Sequence, residues 1–154
     1  MAGFLTPLRL EYIDGRFWAT TEKFEYHLGA PDGIERVVIP AGFMTDFASI
    51  PRALWPVLPP TGPYGKAAVV HDWLYQVREV RRMPTIDVID DQGKPAGRIV
   101  MPTGARLVNR AEADAVFNEA MEVLTVRRTQ RWTLYSGVRV GGWVTWNRYR
   151  RSDR

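Results

Sequence analysis

The chain has 154 residues, enough for one ordinary domain with its own core and too few for two. Hydrophobic residues make up 45% and charged residues 25%, which is the composition of a folded protein and not of a disordered one. The absence of cysteine excludes disulfide staples, thiolate zinc sites and cysteine nucleophiles.

The net charge of +4 is local, because residues 127–154 hold eight arginines and one acid, so residues 1–126 are net acidic. Eighteen arginines stand against three lysines, and the planar guanidinium suits stacking, phosphate contact and protein interfaces. A solvated basic tail at 151–154, an acidic partner surface and nucleic acid are the readings of that bias. The segment Met1–Pro7 lacks a basic region followed by an apolar run, so no signal peptide is expected, and the chain is expected to be made and folded in the cytoplasm. Ala67–Val70, the longest aliphatic block, falls far short of a membrane span, so no transmembrane segment is expected.

Leu8–Ile13 alternates and breaks at Asp14-Gly15, a hairpin signal, after which Arg16–Thr20 runs back. Lys23–Leu28 and Ile34–Ile39 alternate in the same way, so residues 8–40 read as an antiparallel meander with one packed face. From Ala41 to Pro51 the alternation stops while the apolar character persists. Thr45, Asp46 and Ser49 are polar within this run and each requires a partner. Asp46 suits a tight turn, and Ser49 suits the N-cap of a short helix over Ile50–Leu54.

Within 41–80, Gly65–Tyr75 predicts a short buried helix that is central to the fold. Ala67, His71, Tyr75 and Arg78 share one stripe, surrounded by Val70, Trp73, Leu74 and Val77. Residues 84–102 form an inserted hairpin that is alternating and acidic. It either lies plain on the surface or reaches a neighbouring subunit in a homo-oligomer.

Residues 109–150 are helical. Asn109 with Glu112 three residues on makes a capping-box start, and Ala113, Val116, Phe117, Ala120, Met121 and Leu124 form a buried stripe with Asp114 at its edge, facing inward. From Arg131 a second long helix repeats Trp132, Tyr135, Arg139, Gly142, Trp146 and Tyr149, while Gly137, Gly141 and Gly142 predict close packing or a kink near Gly141. Arg131, Trp132, Arg139, Trp143 and Trp146 are candidates for an interface, with protein contact expected before specific nucleic-acid binding. The fold class is α+β: an N-terminal antiparallel β-sheet packed on a C-terminal helical half of two to three helices, with an inserted β-hairpin.

The pieces Gly42–Pro51, Gly65–Tyr75 and Glu112–Phe117, with Tyr135 and Val138-Arg139 behind them, resemble the domain of unknown function 1353 family, small proteins of tailed bacteriophages and prophages. The resemblance covers roughly residues 10 to 145 and implies a phage origin without a reaction. In that setting the expected role is a virion-associated accessory or structural protein of the tail or connector, with other virion proteins as partners. His71-Asp72-Trp73-Leu74-Tyr75 alone is also similar to the His-Asp-x-Cys-Tyr helix of secreted phospholipases A2. That likeness implies His71 as the base, Asp72 as a metal ligand and Asp114 as the acid that orients His71. Leucine stands at the cysteine position, and no Gly-rich calcium loop precedes the helix.

The candidate site therefore comprises His71, Asp114 and Tyr75 as catalytic groups and Asp72 and Asp46 as metal ligands, with Thr45 and Ser49 in the surrounding polar network. A divalent cation held by Asp46 and Asp72 suits calcium, and adding His71 suits zinc. A cation that acidified its water, with His71 taking the proton, would make a small hydrolase of an ester, amide or lipid. A Ser49-His71-Asp114 triad lacks the Gly-x-Ser-x-Gly elbow. The same residues could equally form a structural network that joins sheet, loop and two helices.

Overall fold

The computed structural model describes residues 2–29, 33–47, 50, 53, 55–56, 58–59 and 62–152. The chain runs β1 (Gly3–Phe4), β2 (Leu10–Asp14), β3 (Phe17–Thr20), β4 (Phe24–His27), β5 (Glu35–Ile39), β6 (Met44–Thr45), α1 (Gly65–Gln76), β7 (Glu79–Arg82), β8 (Thr85–Ile89), β9 (Pro95–Val100), β10 (Gly104–Leu107), α2 (Arg110–Val123) and α3 (Arg128–Ser152). The class is α+β, with antiparallel sheets leading into three helices, the second half carrying the inserted hairpin. Among the described residues no helix is long and apolar enough to cross a membrane.

The meander expected over 8–40 divides between two sheets. Strands β4 and β5 lie in a five-stranded sheet of order β1-β4-β5-β7-β10, whereas the β2–β3 hairpin joins β6 in a separate three-stranded sheet. In the larger sheet Phe24 pairs with Ile39 and Tyr26 with Val37, so these four side chains share one face, and all are buried with Val80 of β7. Glu25, His27 and Arg36 take the other face, where Arg36 lies 3.5 Å from Glu25.

Helix α1 is buried at every position from Ala67 to Tyr75, which is what a helix with small and apolar residues all round requires. It ends at Gln76, earlier than the stripe through Arg78 predicts. Arg78 has φ 66 and leaves the helix, and the chain enters β7, a strand that arginine-rich Glu79–Arg82 conceals from periodicity. Strands β7 and β10 pair at the sheet edge, and β8–β9 continue that ribbon outward through Met101 N–H to the Pro84 carbonyl and Thr103 N–H to the Arg82 carbonyl.

The capping box of α2 forms in full, with Asn109 accepting from the Glu112 amide and Glu112 accepting from the Asn109 amide. Glu119 of α2 accepts from the Tyr26 hydroxyl at 2.8 Å and from the Gly29 amide at 3.1 Å, which fixes α2 to β4. Thr125, with φ 55, turns the chain into α3. That helix begins at Arg128, three residues before the predicted start, and buries Leu134 and Val138.

Candidate functional site

The carboxylate of Asp114 sits where the three helices meet. Its Oδ1 lies 2.8 Å from Nε2 of His71 and accepts from the Tyr75 hydroxyl at 2.7 Å; its Oδ2 accepts from Nη1 of Arg139 at 2.9 Å. Arg110, one turn earlier on α2, stands 3.8 Å from Oδ2. An ionised carboxylate accepts only, so Nε2 of His71 carries the hydrogen in this contact. The His71 ring lies between Tyr75, 4.1 Å away between centroids, and Phe117, 4.7 Å away. His71 and Asp114 are 1% and 0% exposed.

Helical spacing explains why these groups meet. His71 and Tyr75 are four apart on α1 and share a face, and Arg110 and Asp114 bear the same relation on α2. Burial alone would push the Asp114 carboxyl up, but hydrogen bonds from His71 and Tyr75, the charge of His71 and the hydrogen bond from Arg139 outweigh it and hold the carboxyl below its usual value. The Tyr75 hydroxyl moves the other way: burial and the Asp114 carboxylate drive its pKa well up, so it stays a donor.

Asp72 turns away from this cluster. Its Oδ2 accepts from Thr45 of β6 at 2.5 Å, and Thr45 also accepts from the Phe47 amide at 3.2 Å. Thr45 is thus a side chain that bonds forward into the turn, where Phe47 has φ 52. Asp46 is half-buried. Burial first, and then the charges of Asp72 and Asp46, raise the Tyr149 hydroxyl. Ser49 lies outside the described residues, as do Pro51, Arg52 and Leu54 of the predicted short helix. Among the described residues no three side chains of His, Asp and Glu come together in a group that could hold a metal ion.

The interface candidates divide. Trp132 and Trp143 face outward, at 71% and 56% exposed, while Arg131 lies 3.3 Å from Glu122. Arg139 and Trp146, also interface candidates, turn inward: Arg139 to Asp114, and Trp146 edge-on to Tyr75 at 5.2 Å, with the Arg78 and Arg150 guanidinium groups 5.5 and 5.1 Å from its ring. The roles of Arg110 and Arg150 were not anticipated. The i, i+4 spacing of Arg110 and Asp114 carried a signal for the first; no local pattern announces the second.

A family model described as protein of unknown function (DUF1353) matches residues 18–138, which include every member of the Asp114 cluster except Arg139. No curated protein and no solved structure matches the chain.

Proposed function

The chain belongs to the DUF1353 family of proteins of unknown function, and on that basis we propose that it is a virion-associated accessory or structural protein of a tailed phage, acting in the tail or connector region through protein contacts. One observation carries this reading: in the helical half, the groups suited to chemistry are spent on holding helices together while aromatic groups suited to anchoring a partner remain outside. Both Asp114 oxygens are engaged by α1 and α3, and Trp132, Val140, Trp143 and Val144 of α3 stay exposed. Exposed tryptophan beside arginine is the usual anchor of a protein interface.

A phage that carries this gene tests the proposal. Trp143→Asp changes an exposed position, so it is expected to keep the wild-type melting temperature while lowering the copy number of the protein in purified particles, measured by quantitative mass spectrometry, and the yield of particles. Absence of the wild-type protein from particles would overturn the assignment.

A small hydrolase of an ester, amide or lipid is the second reading. The 2.8 Å contact between His71 and Asp114 favours it, as the arrangement of a base and the acid that orients it. The burial of His71 weighs against it, since a general base must reach the proton it removes. His71→Gln separates the two. Loss of phage function with normal folding and normal particles favours the enzyme, whereas a defect that tracks melting temperature favours architecture.

A further inference from the structure

The β8–β9 hairpin has two unlike faces. Cross-strand pairing sets Ile86 opposite Ile99 and Val88 opposite Gly97, with Pro84 and Met101 next along the same face. The other face bears Thr85 opposite Val100 and Asp87 opposite Arg98, the last pair an ion pair at 2.8 Å. The first face is apolar yet half exposed: Ile86, Ile99 and Met101 are 44%, 48% and 45% exposed. A two-stranded hairpin is marginal on its own, and an apolar face on it needs a cover.

A second uncovered surface lies on α3, where Val140 and Val144 flank Trp143 at 76%, 56% and 56% exposed. Trp143, Val144, Asn147, Arg148 and Arg151 line an open depression there. Residues 128–152 contain six arginines and no acid. Arg131, Arg139 and Arg150 are bonded toward the body of the protein, while Arg128 and Arg151 are exposed on α3. The hairpin tip carries two acids, Asp90 and Asp91, and one base, Lys94.

We propose that the protein assembles head to tail with itself: the apolar hairpin face of one copy covers the outer face of α3 on the next, with the acidic tip against Arg151. Charge selects this pairing over the symmetric ones. Hairpin against hairpin sets acids facing acids, and α3 against α3 sets arginines facing arginines, whereas hairpin against α3 joins opposite charges over two apolar surfaces. The two surfaces are exposed in a single chain and so do not cover each other. An interface of two different patches leaves each copy with one of each still open, and such an interface propagates to a closed ring or an open filament. The inference deepens the proposed virion role, in which rings and tubes are the expected forms, but it stands on its own test.

That test is sedimentation of the full-length protein over a concentration series, with Ile99→Lys on the hairpin and Trp143→Asp on α3. Wild type is expected to form oligomers, and each variant to melt as wild type does yet remain monomeric, weakened roughly thirty-fold or more as for a central interface anchor. Mixing the two variants is the decisive step. One retains the α3 face and the other the hairpin, so together they form a single interface and a 1:1 dimer that grows no further. Arg151→Glu is expected to weaken assembly, and Asp91→Arg to restore it in the mixed pair. A monomeric wild type, a mixture that stays monomeric, or dependence on only one of the two surfaces would overturn the proposal. So would binding of a DNA duplex probe that Trp143→Asp abolishes without any self-association. Oligomers in solution with no protein in particles would sink the virion role alone, and a monomer found in particles would sink the head-to-tail interface alone.

Discussion

Gly142 of α3 passes so close to the hydroxyl of Tyr75 on α1 that a Cβ at this position would overlap the hydroxyl oxygen. The missing side chain is what lets α3 close over α1 while Tyr75 still reaches Asp114. Gly142→Ala is therefore expected to lower stability by about 1–3 kcal/mol, as overpacking does, against a helix-propensity gain of about 1 kcal/mol. Tyr75→Phe removes the overlapping atom, so the double variant should be more stable than the two single effects sum to. Gly141 faces open space, and Gly141→Ala should be neutral or stabilising. Urea unfolding of the wild type and these four variants measures both comparisons.

The carboxylate that Tyr75 reaches belongs to α2 and is bonded to both other helices, through His71 and Tyr75 of α1 and Arg139 of α3. Asp114→Asn would keep the shape but present an amide N–H₂ toward either the Tyr75 and His71 donors or Arg139, leaving buried donors unmatched. A loss of about 3–5 kcal/mol is expected, typical of breaking a buried charged pair from one side, with tertiary signals in the near-ultraviolet affected before helix content.

The lowered pKa of Asp114 gives that loss a pH dependence of known sign. An unfolded aspartate titrates near about 3.9, so above this the ionised carboxylate contributes its full stabilisation. As pH falls below about 4 the unfolded chain takes up a proton that the folded chain refuses, and the contribution is lost progressively until pH passes below the folded pKa. The stability gap between wild type and Asp114→Asn should be constant above about pH 5 and narrow in acid. Glu35, whose carboxyl Arg106 also holds low, is common to both proteins and cancels. A gap unchanged down to about pH 2 would contradict the assignment of the ionised form to the folded state.

The meeting of His71, Tyr75 and Asp114 was legible because His71 and Tyr75 follow helical spacing on α1 and Asp114 interrupts an apolar stripe of α2 at its edge. The capping box at Asn109 and the hairpin over 85–100 were legible for similar local reasons. Strands β7 and β10 were not: Glu79–Arg82 and Gly104–Leu107 show no apolar alternation, since at the sheet edge only Val80 needs to face the core. The division of the N-terminal strands into two sheets is set by long-range pairing of β5 with β7, which no local pattern records. Arg139 and Trp146 read as interface candidates, and they turn inward because amphipathic side chains sort by what they meet, here Asp114 and Tyr75.

Arg150 gives the basic C-terminal stretch a structural duty that a solvated tail would not have. Its guanidinium donates to the carbonyls of Tyr75 and Gln76 at 2.7 and 2.8 Å and lies over Trp146, so α3 supplies the cation that the last turn of α1 lacks. The final carbonyls of a helix have no partner within it, and a positive charge there also complements the helix dipole. Arg150→Ala is expected to cost about 2–3 kcal/mol, the range for hydrogen bonds from a charged donor, and Arg150→Lys about half of that because it keeps the charge but not the planar fork. A merely solvated arginine would change stability by less than about 0.5 kcal/mol. Thermal unfolding at low and high salt separates the two cases, since screening removes a surface charge effect and weakens a part-buried, directed hydrogen bond less.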